Sequence, residues 1–214
     1  MAAGRSRDRL GAGAGRRSGS VQDRGQSGVL RIIGGEWRGR KLRFRAARGL
    51  RPTPDRVRET VFNWLAPHIH GVRCLDLFAG SGALGLEALS RGAGFVRFID
   101  NNAGSLARIE EHLASLDCSS ADCRAGDALR LLKVEVEVEA FDIVFLDPPF
   151  GESLLEPVAH ALEEGRWLAP DALIYLEAGS REPPPALPDT WQLHREKTMG
   201  DVRFSLFVRA GQFV

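Results

Sequence analysis

Cysteine is scarce in this chain. Its 214 residues hold three, Cys74, Cys118 and Cys123, an odd count without metal-ligand spacing, so neither a disulfide framework nor a zinc site is expected. His68 and His70 have no third and fourth ligand beside them, and no metal is expected there either. Long apolar runs are missing as well. No stretch approaches the roughly 20 residues that a membrane helix needs, and the arginine-rich N-terminus lacks the apolar segment of a secretory signal. No internal repeat is visible. Reduced thiols and the lack of any targeting segment make the cytoplasm the expected compartment, with no membrane partner. The length and an apolar content of 43% suit one ordinary domain with appendages.

Charge is present in both signs but unevenly spread. Residues 1–58 hold 16 Lys and Arg against 4 Asp and Glu, a balance of +12, and the remaining residues hold 13 against 24, a balance of −11. A basic arm on an acidic body points to a polyanion partner met by the arm. Residues 1–28 are Gly, Ala, Ser and Arg with almost no large apolar side chain, and are expected to form a disordered basic tail. In residues 29–66 aromatic and aliphatic side chains alternate with the cations, so this segment reads as an ordered extension. Residues 67–214 read as the main domain.

That domain is organised around residues 72–85. A short apolar run from Val72 to Phe78, broken by Arg73 and Asp76, suits a buried parallel strand. It turns through Ala79, Gly80, Ser81 and Gly82 into an apolar helix. Backbone N–H groups and the positive end of a helix dipole therefore converge at one point, a site for a nucleotide-like ligand. Gly80, Gly82 and Gly85 satisfy G-x-G-x-x-G, although any tight strand-to-helix turn recruits glycine. Asp76 is an acid inside a buried strand, which is costly without a partner. Asp100 ends the next apolar run, where a ribose diol is commonly held. An adenosine-type cofactor is the expected ligand.

Upstream, residues 31–44 read as two short strands around Gly34-Gly35, followed by a loop through Arg51. The next helix is expected to be capped by Thr53, with Pro54 in its first turn and Val57, Val61, Trp64 and Leu65 as its core stripe. Arg56, Glu59 and Asn63 lie elsewhere on it and are candidates to face a substrate. Downstream come a strand at 95–100, a helix at 105–115, a strand at 121–125 followed by Asp127, and a strand at 141–147. A helix at 154–164, a strand at 172–176, the rigid connector 183–185 and a terminal antiparallel hairpin (191–197 and 202–209) complete the chain. Residues 133–139 alternate as a strand would, but 141–147 is the better candidate for the sheet. Asp127 is equally well read as an adenine partner or as a loop cap. The expected fold is α/β: a doubly wound, mostly parallel, seven-stranded Rossmann-like sheet with a C-terminal antiparallel hairpin and a small N-terminal hairpin and helix. Ligands in such sheets sit beyond the carboxyl ends of the strands, where Asp76, Asp100, Asp127 and Asp147 all fall.

Asp147, Pro148, Pro149 and Phe150 separate the cofactor alternatives. Two prolines after a buried strand hold the backbone extended and remove two N–H donors. The turn then offers carbonyl oxygens and a carboxylate beside a flat ring, the surroundings an exocyclic base amine needs: acceptors for its two N–H groups and Phe150 to stack on. Held so, the amine aims its lone pair at an electrophilic methyl group.

These motifs resemble those of the class I S-adenosylmethionine-dependent N-methyltransferases. The segments 31–42 and 51–59, rich in arginine, narrow the resemblance to the bacterial 16S rRNA guanine-N2 methyltransferases of the RsmD family. It runs from about Arg31 to Arg209. The resemblance implies S-adenosylmethionine as cofactor, with Asp76, Phe78 and the 79–82 backbone around its methionine portion, Asp100 at the ribose, and Asn101 and Asp127 near the adenine. It implies that Asp147 and the Pro148 carbonyl hold the guanine N2 amine, with Pro149 shaping the turn and Phe150 stacked on the base. Arg38, Arg40, Lys41, Arg51, Arg56 and Arg58 would meet phosphates of 16S rRNA in the small subunit or an assembly intermediate. Family members often carry an acid where this chain has Asn102, which leaves Asp100 as the ribose ligand. Nothing in the sequence demands a dimer, and a monomer is expected.

Other readings account for less. An N-methyltransferase acting on another RNA, DNA or protein amine would use the same turn. A nicotinamide-dependent oxidoreductase is licensed by the glycine fingerprint but leaves the Pro-Pro-Phe turn and the basic arm unexplained. A non-catalytic RNA-binding module leaves the acids at the strand ends unexplained.

Overall fold

The computed structural model describes residues 27–45, 54–134 and 139–211. Five strands run parallel in the main sheet: β3 (Arg73–Asp76), β4 (Phe95–Asp100), β5 (Ala121–Ala125), β6 (Phe141–Leu146) and β7 (Leu168–Gly179). The long hairpin of β8 (Trp191–Met199) and β9 (Val202–Arg209) adds two antiparallel strands at the β7 edge, turning at Gly200 with φ +62°. β1 (Ser27–Arg31) and β2 (Lys41–Arg45) pair antiparallel in a separate ribbon. The spatial order β5-β4-β3-β6-β7-β9-β8 reverses direction between β3 and β6. In a doubly wound sheet that reversal opens a crevice at the carboxyl edge.

Side chains alternate between the two faces of a strand, and the two apolar cores follow that alternation. Cys74, Val96, Phe98, Ile143, Phe145, Leu173 and Tyr175 belong to one core, and Leu75, Leu77, Ile99, Val144, Leu146, Ile174 and Leu176 to the other. The first face is covered by α1 (Asp55–Leu65), α2 (Ala83–Ser90), α3 (Ala103–Ser115) and the apolar side of the β1–β2 ribbon, through Leu30, Leu42 and Phe44. The second is covered by α4 (Ala128–Val134) and α5 (Leu155–Glu164). All eight residues of α2 are buried, so it is held from every side rather than by one stripe. The N-terminal ribbon thus shares its core with the sheet.

Several local expectations change. The alternating run 133–139 does not extend the sheet: Lys133 and Val134 end α4, and 135–138 lie outside the described residues. Helical continuation from Ala128 outweighs a two-residue period there, because α4 buries Ala128 and Leu132 on one side. Pro54 is the N-cap of α1 rather than a first-turn residue, and Thr53 lies outside the described residues. Trp64 is only half-buried, and Phe62 takes its place in the core stripe with Val57, Val61 and Leu65. β1 starts at Ser27, inside the segment read as tail. β7 is longer than expected because its first residues pair with the start of β6 across an irregularity near Phe141.

Candidate active site at the carboxyl edge of the sheet

The turn leaving β3 is built by glycine geometry. Gly80 and Gly82 have φ +51° and +76°, a region that side chains with a Cβ rarely enter. Gly82 caps α2 in the left-handed conformation, and its N–H donates to Ala79 O at 2.6 Å. Gly85 sits where a Cβ would lie 2.2 Å from the Phe98 ring, so α2 presses directly on β4. The third glycine of the fingerprint therefore serves close helix-to-strand packing.

Two acids tie this turn to the strand ends. Asp100, at the end of β4, accepts the Gly80 N–H at 2.7 Å through one oxygen and the Asn102 N–H at 2.7 Å through the other. Asp76 is 2% exposed, and its carboxylate accepts the Gly85 N–H at 2.9 Å. Burial, chiefly, lifts its pKa from 3.8 to about 7; the Gly85 N–H opposes this, and the charges of Asp147 and Asp100 add to it. Asn102 caps α3, its side chain accepting from Gly104 N–H at 2.9 Å and Ser105 N–H at 3.2 Å. The Asn102 amide thus has a helix-starting role.

The remaining expected cofactor residues surround the same edge. Phe78 is half-buried against the second core, Ala79 is buried, Ser81 is half-buried and Asn101 is exposed. Asp127 is exposed and accepts the Arg130 N–H at 2.8 Å, so it caps the entry to α4 whatever else it does. A carboxylate has room for further donors beside a single backbone N–H.

Across the topological switch, Asp147 follows β6 directly and is half-buried; Pro148 is buried, Pro149 exposed, and the Phe150 ring 49% exposed. A cavity of 240 Å³ opens beside this turn, walled by Pro148, Pro149 and Phe150 on one side and by Glu177, Glu182 and Pro183 on the other. Glu182 clamps the turn, accepting the Gly151 N–H at 2.9 Å. Sequence reasoning missed both glutamates. The signal for Glu177 was available: an acid inside the apolar run of β7, as Asp76 is inside β3.

The basic extension divides. Arg38, Arg40, Lys41 and Arg56 are exposed. Arg51 lies outside the described residues. Arg58 does not lie with them: it is 1% exposed, bonded to Asp55 Oδ1 at 2.6 Å and to Arg31 O at 2.9 Å, and 3.5 Å from Glu87. As placed, Arg58 fastens α1 to the ribbon and to α2, and its guanidinium is shut off from solvent.

Glu87 is the centre of that fastening. Fully buried on α2, it accepts the N–H groups of Ile33 and Gly34, both at 2.8 Å, and pairs with Arg91 at 2.7 Å. Ser90 adds a bond to Gly34 O at 2.6 Å and receives Trp37 N–H at 3.0 Å. One end of α2 forms the glycine turn; its other end holds the extension.

A doubly wound sheet with its strand-end acids at a switch point, an Asp-Pro-Pro-Phe turn and a basic ribbon over the same face define the methyltransferase class of this fold. The comparisons agree. A family model described as Conserved hypothetical protein 95 matches residues 30–208. Ribosomal RNA small subunit methyltransferase D of Escherichia coli K12 is 48% identical, over 87% of this chain and 93% of that protein. The protein of the same name from Haemophilus influenzae Rd is 46% identical, over 87% of this chain and 97% of its own length. The solved Escherichia coli yhhF structure superposes with a TM-score of 0.79 at 45% identity, covering 86% of this chain and all of that one. The chain belongs to the ribosomal RNA small subunit methyltransferase D (RsmD) family.

Proposed function

We propose that the protein transfers the methyl group of S-adenosylmethionine to the exocyclic N2 amine of one guanine in 16S rRNA. The observation that carries this reading is the juxtaposition of Asp147-Pro148-Pro149-Phe150 with Asp76 and Asp100 at one carboxyl edge, on the face that the basic ribbon covers. The relatives' name, ribosomal RNA small subunit methyltransferase, supports an rRNA substrate.

The residues present fit S-adenosylmethionine. Asp76, a buried carboxylate with a raised pKa, suits the cofactor's ammonium group, whose charge would draw it into the ionised form. Asp100 keeps lone pairs for a ribose diol beyond its two backbone N–H bonds, and the backbone of residues 79–82 lines the approach. Phe78 lies by the methionine portion, and Asn101 and Asp127 surround the adenine end. Bound there, the cofactor would supply an electrophilic methyl carbon on sulfur, with sulfur as the leaving group.

The chain's own work is positioning. The Asp147 carboxylate and the Pro148 carbonyl accept the two N2 protons and direct the nitrogen lone pair toward the cofactor. Phe150 stacks on the base. After bond formation the surplus N2 proton leaves to Asp147 or to water. Arg38, Arg40, Lys41 and Arg56, joined by Arg51, hold phosphates and bring the loop to the pocket. The substrate is the small subunit or its assembly intermediate, the compartment the cytoplasm, and the working form a monomer. Incubation of small subunits that lack the modification with labelled cofactor, followed by nucleoside analysis, tests the reading. N2-methylguanosine at one position supports it; a labelled product of any other kind, or none with cofactor binding intact, overturns it.

A further inference from the structure

The cavity beside Phe150 has three glutamates on its wall. Glu156 is exposed, Glu182 is half-buried and occupied with the Gly151 N–H, and Glu177 is buried, 3% exposed. A buried carboxylate in a ligand pocket needs a reason, since its desolvation is costly.

Its position supplies one. β6 and β7 are parallel neighbours in register through Phe145↔Tyr175 and Leu146↔Leu176. One step further lie Asp147 and Glu177, on strands roughly 4.8 Å apart. Alternation sets both on the face of Phe145 and Tyr175, the face the basic ribbon covers. The Tyr175 hydroxyl donates to Glu177 Oε2 at 2.8 Å. That phenol is kept protonated: burial, then the charges of Glu177 and Asp147, push it well above 10.0. The hydroxyl therefore acts as a fixed donor that orients the Glu177 carboxylate, part of the cavity lining, as an acceptor.

The Watson–Crick edge of guanine carries two adjacent donor groups, N2–H₂ and N1–H. With the N2 protons taken by Asp147 and Pro148, the neighbouring N1–H needs an acceptor one strand over. Adenine presents a lone pair at N1 and would face a carboxylate with no proton between them, an arrangement a buried site rejects strongly. We propose that Glu177 accepts the N1–H of the target base and so selects guanine among amine-bearing bases. This rests on the reading of the site as a guanine-N2 methyltransferase.

The test uses the full chain and small subunits reconstituted on 16S rRNA with guanine or 2-aminopurine at the methylated position. 2-Aminopurine keeps the exocyclic amine but has a lone pair at N1. The wild-type protein is expected to prefer guanine by about 100-fold in kcat/KM. Glu177→Gln, whose amide can donate to that lone pair, should lose about 30-fold or more on guanine and bring the ratio near one or invert it. Unchanged affinity for S-adenosylhomocysteine shows that the variant is folded. Should it not fold, Tyr175→Phe leaves the carboxylate and removes its orienting donor, and the same ratio should narrow by several-fold. A wild-type ratio retained in the folded variant overturns the role of Glu177 and leaves guanine methylation standing. Absence of transfer to guanine by the wild type overturns both.

Discussion

Two buried carboxylates, Asp76 and Glu87, lie eleven positions apart in this chain and are treated in opposite ways. Glu87, on α2, receives two backbone N–H groups and has two guanidinium groups within ion-pair distance. Asp76, on β3, receives the Gly85 N–H, has two other acids near it, and holds its proton up to about pH 7. Both carboxylates are nearly or wholly without solvent; the difference is what surrounds them. Glu87 is satisfied within the fold and fastens the N-terminal ribbon. Asp76 is left short of positive charge at the edge where a cationic ligand fits. A buried charge that the fold completes is architecture, and one that the fold leaves incomplete marks a binding site.

The contrast predicts opposite responses to neutralisation. Glu87→Ala removes the partner of two arginines and orphans two backbone donors, and should cost about 3–5 kcal/mol. Thermal unfolding should show a fall of roughly 10 °C; a shift within 2 °C, on the same scale, would deny Glu87 its role. Asp76→Asn should act the other way. A carboxyl whose folded pKa is raised binds a proton that the unfolded chain has released, so wild-type stability falls as pH rises from 3.8 to about 7. The full loss is on the order of 4 kcal/mol. The asparagine variant should lack this slope, be no less stable than wild type at pH 8, and bind S-adenosylhomocysteine at least tenfold more weakly. The same change in unfolding free energy between pH 5 and pH 8 for wild type and variant, read from denaturant titrations, would remove Asp76 from the account.

Three further variants sharpen the same division. Replacing Arg38, Arg40 and Lys41 together by alanine should leave stability within about 0.5 kcal/mol. It should also lower the slope of log affinity for rRNA against log salt by about 2. Arg58→Ala, in contrast, should behave like Glu87→Ala, losing stability first; an RNA-binding defect in a fully stable variant would return Arg58 to the phosphate contacts. Glu182→Ala should cost about 1 kcal/mol of stability and show mainly in methyl transfer, because it frees the turn that carries Phe150.

The elements of the sheet were legible because parallel strands buried on both faces read as apolar runs and acids interrupt them visibly: Asp76, Asp100 and Asp147 all lie at the predicted ends. Asp127 was legible as a strand-end acid, while its bond to the Arg130 N–H is a matter of local backbone geometry that spacing does not fix. Arg58 was misjudged for a physical reason. In sequence it looks like its neighbour Arg56, and a turn of about 100° per residue separates an exposed cation from a buried one. Its burial depends on Glu87, 29 positions later, and no local pattern announces such a pairing. Glu177 had the same signature as Asp76, an acid in an apolar strand, but β7 carries no glycine turn to draw attention to it. The expectations for residues 1–26, 46–53 and 135–138 lie outside the described residues.

The most direct measurement is calorimetric titration of the wild-type protein with S-adenosylhomocysteine at pH 7 in buffers of different ionisation enthalpy. If Asp76 is partly protonated in the free protein, as its raised pKa of about 7 implies, binding of the ligand's ammonium group releases protons, and Asp76→Asn abolishes the release. Binding by the wild type with no proton released would contradict the assignment of Asp76 to the cofactor.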